Sequence, residues 1–204
     1  MSGSSRFWRR KDLSDNNLEH LIQVLKTGEE EDREEAALAL GRLGAAAIAP
    51  LATLLAEDQT SLRWWAARTL AEVGGDEGVR LLLHTLEDGD PDVRACAALA
   101  LGQIGDGQAA PALARRLEDE SAFVAGIAAD ALSMIGEAAV EAVTEKLDHP
   151  SSLVRLLAVR ALNRIRSLRS IPSLYRLLED PSYLVRYYAQ ETLEALVGME
   201  FFVP

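Results

Sequence analysis

Six leucines constrain this chain most: Leu25, Leu55, Leu86, Leu117, Leu147 and Leu178 recur every 30 or 31 residues. Eight residues after each stands Arg33, Arg63, Arg94, Ala125, Arg155 or Arg186. Three beyond that slot is always alanine (Ala36, Ala66, Ala97, Ala128, Ala158, Ala189), and seven beyond it always leucine (Leu40, Leu70, Leu101, Leu132, Leu162, Leu193). A fixed period of this length marks stacked repeats, in which one unit cannot bury its apolar face and its neighbours complete the core.

Each unit reads as two helices. The first carries leucines four apart, as in Leu51/Leu55, Leu82/Leu86, Leu113/Leu117 and Leu174/Leu178, the spacing of one helix face. The second starts from Asp90, Ser121, Ser151 or Ser182, whose short polar side chains suit an N-cap. Pro91 takes the first helical position. Gly44, Gly74, Gly105 and Gly136 end the second helices, where a left-handed residue is expected. The spacing therefore predicts an all-α fold.

The segment Asp92–Asp106 and its counterparts resemble the short, roughly 30-residue HEAT-like repeat of the phycobilisome-lyase family, over about residues 14–198. The resemblance implies a right-handed α-solenoid of six helix pairs and, since the repeat serves many roles, little about function. It also implies an Asp–Arg ladder through the arginine slot, with Asp88, Asp119 and Asp180, six residues before the slot, as partners. Ala125 in the fourth repeat would leave Asp119 without that partner. The fifth repeat departs too, with His149 for Asp and Arg166 for the closing glycine.

Composition narrows the function. Aromatic residues make up 5% against 49% hydrophobic, an Ala/Leu-rich balance that favours close helix packing. No run approaches the roughly 18–20 uninterrupted apolar residues of a membrane span, and the N-terminus lacks a signal-peptide pattern. A single cysteine, Cys96, excludes an internal disulfide. The expectation is a cytoplasmic protein without a membrane span. Residues 1–11 carry four basic residues and no acid; residues 12–150 hold 10 Lys/Arg against 27 Asp/Glu; residues 151–204 hold 7 Arg against 5 acids. So acidic a body repels phosphate backbones, and nucleic acid is not expected as a partner.

Taking the arginine slot as zero, a wheel at about 100° per residue places −1, +3, +4, +7 and +10 on the core side and −2, +1, +2, +5 and +9 opposite. In repeats like these the opposite side lines the concave surface. Of its 30 positions, 13 are large apolar or aromatic, which suggests an interaction surface. Flanking positions −2 and +2 can instead be covered by an adjacent repeat, so inter-repeat packing stays open as the other reading. Positions +1 and +5 are the hardest to explain as core. The candidate partner-binding residues are Trp64, Trp65, Arg68, Leu99, Ile127, Leu156, Arg160, Arg164, Tyr187 and Tyr188.

Catalytic signals are weak. His20, His84 and His149 lie in three different repeats, and none is followed by Glu; iron-dependent hydroxylases of similar repeats need His-Glu pairs. No phosphate loop, Gly-x-Ser-x-Gly or His-Glu-x-x-His occurs. Cys96 reads as a small packing residue, and neither cofactor nor metal is expected. Arg160 and Arg164, four apart beside Leu156 and Leu157, suit a carboxylate or phosphate on an apolar ligand, or an acidic partner segment; a structural surface cluster is the alternative.

Three segments follow: a flexible basic tail over 1–13, one solenoid domain over 14–198, and an apolar segment over 199–204. The last would cap the final pair or insert into a second subunit of a homo-oligomer. The expected function is a non-enzymatic scaffold binding a protein partner on the concave surface. The alternative implied by the resemblance is a phycobilin lyase subunit or phycobilisome chaperone handling a tetrapyrrole.

Overall fold

The computed structural model describes residues 17–200. Among them lie twelve α-helices and no β-strand. The first members of the six pairs are α1 (Leu18–Thr27), α3 (Ile48–Leu55), α5 (Gly75–Thr85), α7 (Ala110–Arg116), α9 (Val140–Thr144) and α11 (Ile171–Arg176). The second members are α2 (Glu30–Leu43), α4 (Thr60–Val73), α6 (Pro91–Ile104), α8 (Ala122–Ile135), α10 (Ser152–Ile165) and α12 (Tyr183–Glu200). Residues 1–13 lie outside the described residues, as do 201–204. α12 continues through Met199 and Glu200, where the sequence suggested a separate cap segment.

The chain divides into two compact units, Met1–Ala100 and Leu101–Pro204. In the first, α2 packs on α1 and α4, and α4 also on α3 and α5. In the second, α10 packs between α8 and α12, with α7 against α8 and α11 against α12. The periodic residues are the core: all six alanines at +3 are fully buried, and so are the leucines at +7 except Leu193, which is nearly so. Each buried leucine contributes about 1.5–3 kcal/mol. Small residues set how closely the helices approach. A Cβ on Gly102 would stand 2.7 Å from Ala131 Cα, and one on Gly41 2.7 Å from Glu72 Cβ.

The second helices close as expected on glycines of positive φ, Gly44, Gly74, Gly105 and Gly136. In the fifth repeat Arg166 takes the position with φ 60° and ψ 34°, a left-handed conformation that costs an ordinary residue about 1–2 kcal/mol. Starts differ from expectation in detail. Ser121 and Ser151 occupy the N-cap positions of α8 and α10, but their hydroxyls make no capping bond. Two segments, Glu30–Leu55 and Ala122–Asp148, are long and apolar enough by composition to cross a membrane. Each is interrupted, at Gly44 and Gly136, before a separate helix begins.

The arginine slot does two jobs. Its Nη1 ties down the turn before its own helix: Arg63 donates to the Glu57 and Asp58 carbonyls at 3.1 and 2.9 Å, Arg155 to those of His149 and Pro150 at 2.8 and 3.0 Å. Its Nε and Nη2 reach the next repeat. Arg63 grips Asp88 at 2.7 and 2.9 Å, and Arg155 grips Asp180 at the same two distances. Desolvation raises the pKa of both carboxyls, yet these bonds and the Asp90 and Ser182 N–H groups outweigh it and hold both below the usual carboxylate range.

The aspartate of a rung thus belongs to the repeat after its arginine, which corrects the reading of Asp119. Ala125 does not strand it: Asp119 accepts from Ser121 N–H at 2.9 Å and pairs with Arg116 at 3.4 Å. The two departures noted in the sequence are instead the two ends of one rung. Ala125 supplies no guanidinium, and His149 stands where the aspartate would receive it. His149 Nδ1 still accepts from Ser151 N–H at 3.1 Å, as the aspartates do from Asp90 and Ser182. Glu118 meets Lys146 at 2.5 Å and His149 Nε2 at 3.4 Å.

Candidate functional site: the open face of the second helices

The wheel's outward side sorts by position once neighbours are present. Position −2 is open throughout; in the second unit it carries Phe123, Leu153 and Leu184, exposed by 58, 50 and 52%. Positions +5 and +9 are exposed or half-buried. Position +2 turns towards the adjacent repeat, where Trp65, Cys96 and Leu157 are buried and Ile127 and Tyr188 half-buried. A wheel drawn on one helix cannot register this, because the preceding second helix fills that side: Arg33 lies over Trp65, and Cys96 meets the Trp64 carbonyl.

In the first unit two of the four candidates, Trp65 and Arg68, are engaged by neighbouring side chains. Trp65 is a correction: it is buried, edge-on to Trp64 with centroids 5.0 Å apart, beneath the Arg33 guanidinium 5.9 Å from its ring. Trp64 is half-buried. Arg68 is held from two sides, by Glu34 and by Glu72, the latter at 2.7 Å. Desolvation pulls its pKa down, but the Glu72 hydrogen bond and the charge of Glu34 raise it above its ordinary value. Leu99 is exposed. Cys96 points its thiol at the Trp64 carbonyl oxygen at 3.6 Å, and burial pushes its pKa up to about 12 against a small opposing pull from Arg68. Such a thiol is inert at neutral pH.

The second unit keeps its face open. Tyr187 is half exposed and stacks on Tyr183 at 6.4 Å, with Tyr188 edge-on to it at 5.3 Å. Leu156 and Ile127 are half-buried between the exposed rows. Arg160 and Arg164, Asp130, Tyr188 and Glu191 line an open pocket of about 180 Å³. Its floor is pinned by Asn163, which donates to Thr192 Oγ1 at 3.1 Å, while that hydroxyl donates to the Tyr188 carbonyl at 2.6 Å. The two arginines differ. Arg164 is ion-paired with Asp130, whereas Arg160 has no ion-pair partner among the described residues. Of the two arginines expected to grip one anion, Arg160 is open and Arg164 is shared with Asp130. Of the wider arginine cluster, Arg169 pairs with Glu137 at 3.5 Å and Arg176 with Asp148 at 3.4 Å. Among the described residues no three His, Cys, Asp or Glu side chains gather as a metal site.

Phe123, Leu153 and Leu184 were absent from the sequence-derived candidates because position −2 was assigned to a flank. A signal was there: the same position in the first three repeats is Glu31, Ser61 and Asp92.

A family model for HEAT repeats matches in four overlapping windows, 18–88, 48–133, 79–149 and 124–194. The chain belongs to the HEAT-repeat family. No curated protein matches it by sequence. Among solved structures, it is similar to the complex of CpcE and CpcF of phycocyanin lyase from Nostoc sp. PCC7120, with 26% identity, TM-score 0.54, and coverage of 95% of this chain and 82% of that one. An engineered protein is similar at 26% identity and TM-score 0.52, covering 89% of this chain and 97% of its own. YibA of Escherichia coli shares the fold at 19% identity and TM-score 0.57, covering 100% and 82%. The all-α repeat solenoid and the short HEAT-like repeat type read from the sequence are thus borne out.

Proposed function

We propose that this HEAT-repeat chain is a non-enzymatic scaffold that holds a protein partner on the open face of its second helices. The observation that carries this is the exposed apolar row Phe123, Leu153 and Leu184, continued by Tyr187. Burying none of these side chains well, the fold gains little from them, and exposed apolar patches on rigid repeats are interaction surfaces. Partners recovered from the native host and identified by mass spectrometry give the test. Tyr187→Ala should leave helical content and melting temperature nearly unchanged and weaken binding several-fold. A loss above about 3 kcal/mol of stability would place Tyr187 in the core and end the argument there.

A second reading is favoured by the likeness to the phycocyanin lyase complex: a subunit or chaperone handling a tetrapyrrole, whose flat ring would lie on Tyr183, Tyr187 and Tyr188 with a propionate at Arg160. An absorbance titration with free bilin separates the two. A saturable red shift abolished by Tyr187→Ala supports the tetrapyrrole, and an unchanged spectrum removes it.

A further inference from the structure

Resting on the scaffold reading, we infer that the α8–α10–α12 face takes a partner segment with apolar side chains about 8–10 Å apart, flanked by a carboxylate for Arg160 and a cation for Glu191. Phe123, Leu153 and Leu184 are each the second residue of their helix. That position favours acids and small polar groups, which meet the partial positive charge and unpaired N–H groups of a helix start. The first three repeats follow the rule with Glu31, Ser61 and Asp92. Three successive repeats of the second unit break it in the same way, with large apolar groups left half exposed.

Packed helices stand about 8–10 Å apart, so the row presents anchors at that interval. An α-helix comes just above its upper end with every seventh residue, about 10.5 Å along its axis. A polyproline-type segment meets it with every third, about 9.3 Å. A flat β-strand does not, because its same-face side chains repeat about every 6.4–6.8 Å.

Seven residues along each helix from the apolar row lies a charged row: Asp130, Arg160 and Glu191. Asp130 is satisfied by Arg164, and among the described residues neither Arg160 nor Glu191 has an ion-pair partner. The equivalent arginine of the second repeat, Arg68, is closed off by Glu34 and Glu72. Two opposite charges left unmatched beside an apolar row select a partner with the reverse order of charge. Rim charges of this kind set register and partner choice more than affinity.

A displayed library of random peptides of about 16 residues, long enough to cross three helices, tests this when panned on the full-length chain and on Arg160→Glu. The consensus on the natural chain should pair apolar residues at i and i+7, or i and i+3, with an acidic position. On Arg160→Glu that position should turn basic while the apolar spacing stays. Selected peptides should lose roughly tenfold or more in affinity, by fluorescence anisotropy, for Leu153→Asp/Leu184→Asp. That variant should fold normally, because it installs the residue type of Asp92 at the same register. A consensus without charge preference, or one unmoved by Arg160→Glu, overturns the inference. Peptides that ignore Leu153→Asp/Leu184→Asp but are lost on Leu99→Asp bind the first unit: the scaffold reading then survives and this one falls. No enrichment on either protein overturns both.

Discussion

Arg155→Ala isolates the worth of one rung of the arginine ladder. The side chains of Arg155 and Asp180 are 10 and 4% exposed, so solvent screens their interaction little. The change removes two charged hydrogen bonds to Asp180 and two more to the carbonyls of His149 and Pro150. It leaves the Asp180 carboxylate buried with the Ser182 N–H at 2.8 Å. Stranding one partner of a buried pair costs about 3–5 kcal/mol. Asp180→His on its own should cost a similar amount, by stranding the guanidinium. The double variant should cost only about 1–2 kcal/mol, giving a coupling of several kcal/mol. The natural chain already carries that combination in Ala125 and His149, and there the imidazole keeps the turn's acceptor role towards Ser151. Urea denaturation followed at 222 nm gives all four corners of the cycle. Strictly additive single changes, or an Arg155→Ala cost below about 1 kcal/mol, would show that the rung does not hold adjacent repeats together and that its paired loss at Ala125 and His149 needs no compensation.

Arg166→Gly should stabilise the chain by about 0.5–1 kcal/mol, since glycine relieves the left-handed backbone at some entropic cost; an unchanged or lowered urea midpoint would mean the Arg166 side chain contributes more than its backbone strain. Gly74→Ala should instead destabilise by about 1–3 kcal/mol, because φ 62° with ψ −154° is open to little but glycine. The depressed carboxyls of Asp88 and Asp180 contribute stability that is fully present above the unfolded aspartate pKa of about 3.9 and is lost as pH falls below it. Melting temperature against pH should therefore drop below about pH 4, and the Asp180→His/Arg155→Ala variant should lose less over that interval. Cys96 should resist thiol reagents at pH 8 until the protein is unfolded by urea; stoichiometric labelling of the native chain would contradict its burial.

How much was legible in the sequence follows from which residues touch only their own repeat. Alanine at +3 and leucine at +7 announce the core because every repeat needs them, and all are buried. The closing glycines were equally readable, since their backbone torsions are a local matter. The ladder was half readable. Its members showed in the register, but whether Arg63 serves Asp88 or the aspartate position of its own repeat depends on how successive pairs stack. Trp65 was misassigned for the same reason: the wheel gives a direction, and only the neighbouring helix says whether that direction is filled. The pairing of Arg164 with Asp130 was not readable, because Asp130 is 34 residues away in sequence and one helix away in space.

Positions that carry the fold and positions that face outward are separate sets of the same helices, and this separation makes the open face a place where side chains can change at little cost to folding. Slot 0 (except at Ala125), +3 and +7 tie the second helices to their neighbours through guanidinium, close approach and leucine packing. Position −2 does none of these. It can be Glu31 and Asp92, where charge suits a helix start, or Phe123, Leu153 and Leu184, where it does not, while Ala36, Ala97, Ala128, Ala158 and Ala189 stay fully buried alike. An apolar substitution at an exposed helix start is nearly neutral for the core, forgoing at most a few tenths of a kcal/mol to about 1 kcal/mol of dipole and capping energy. Its recurrence in three consecutive repeats is the pattern expected if, as proposed, a partner segment lies across α8, α10 and α12, whose contacts would more than restore the energy forgone.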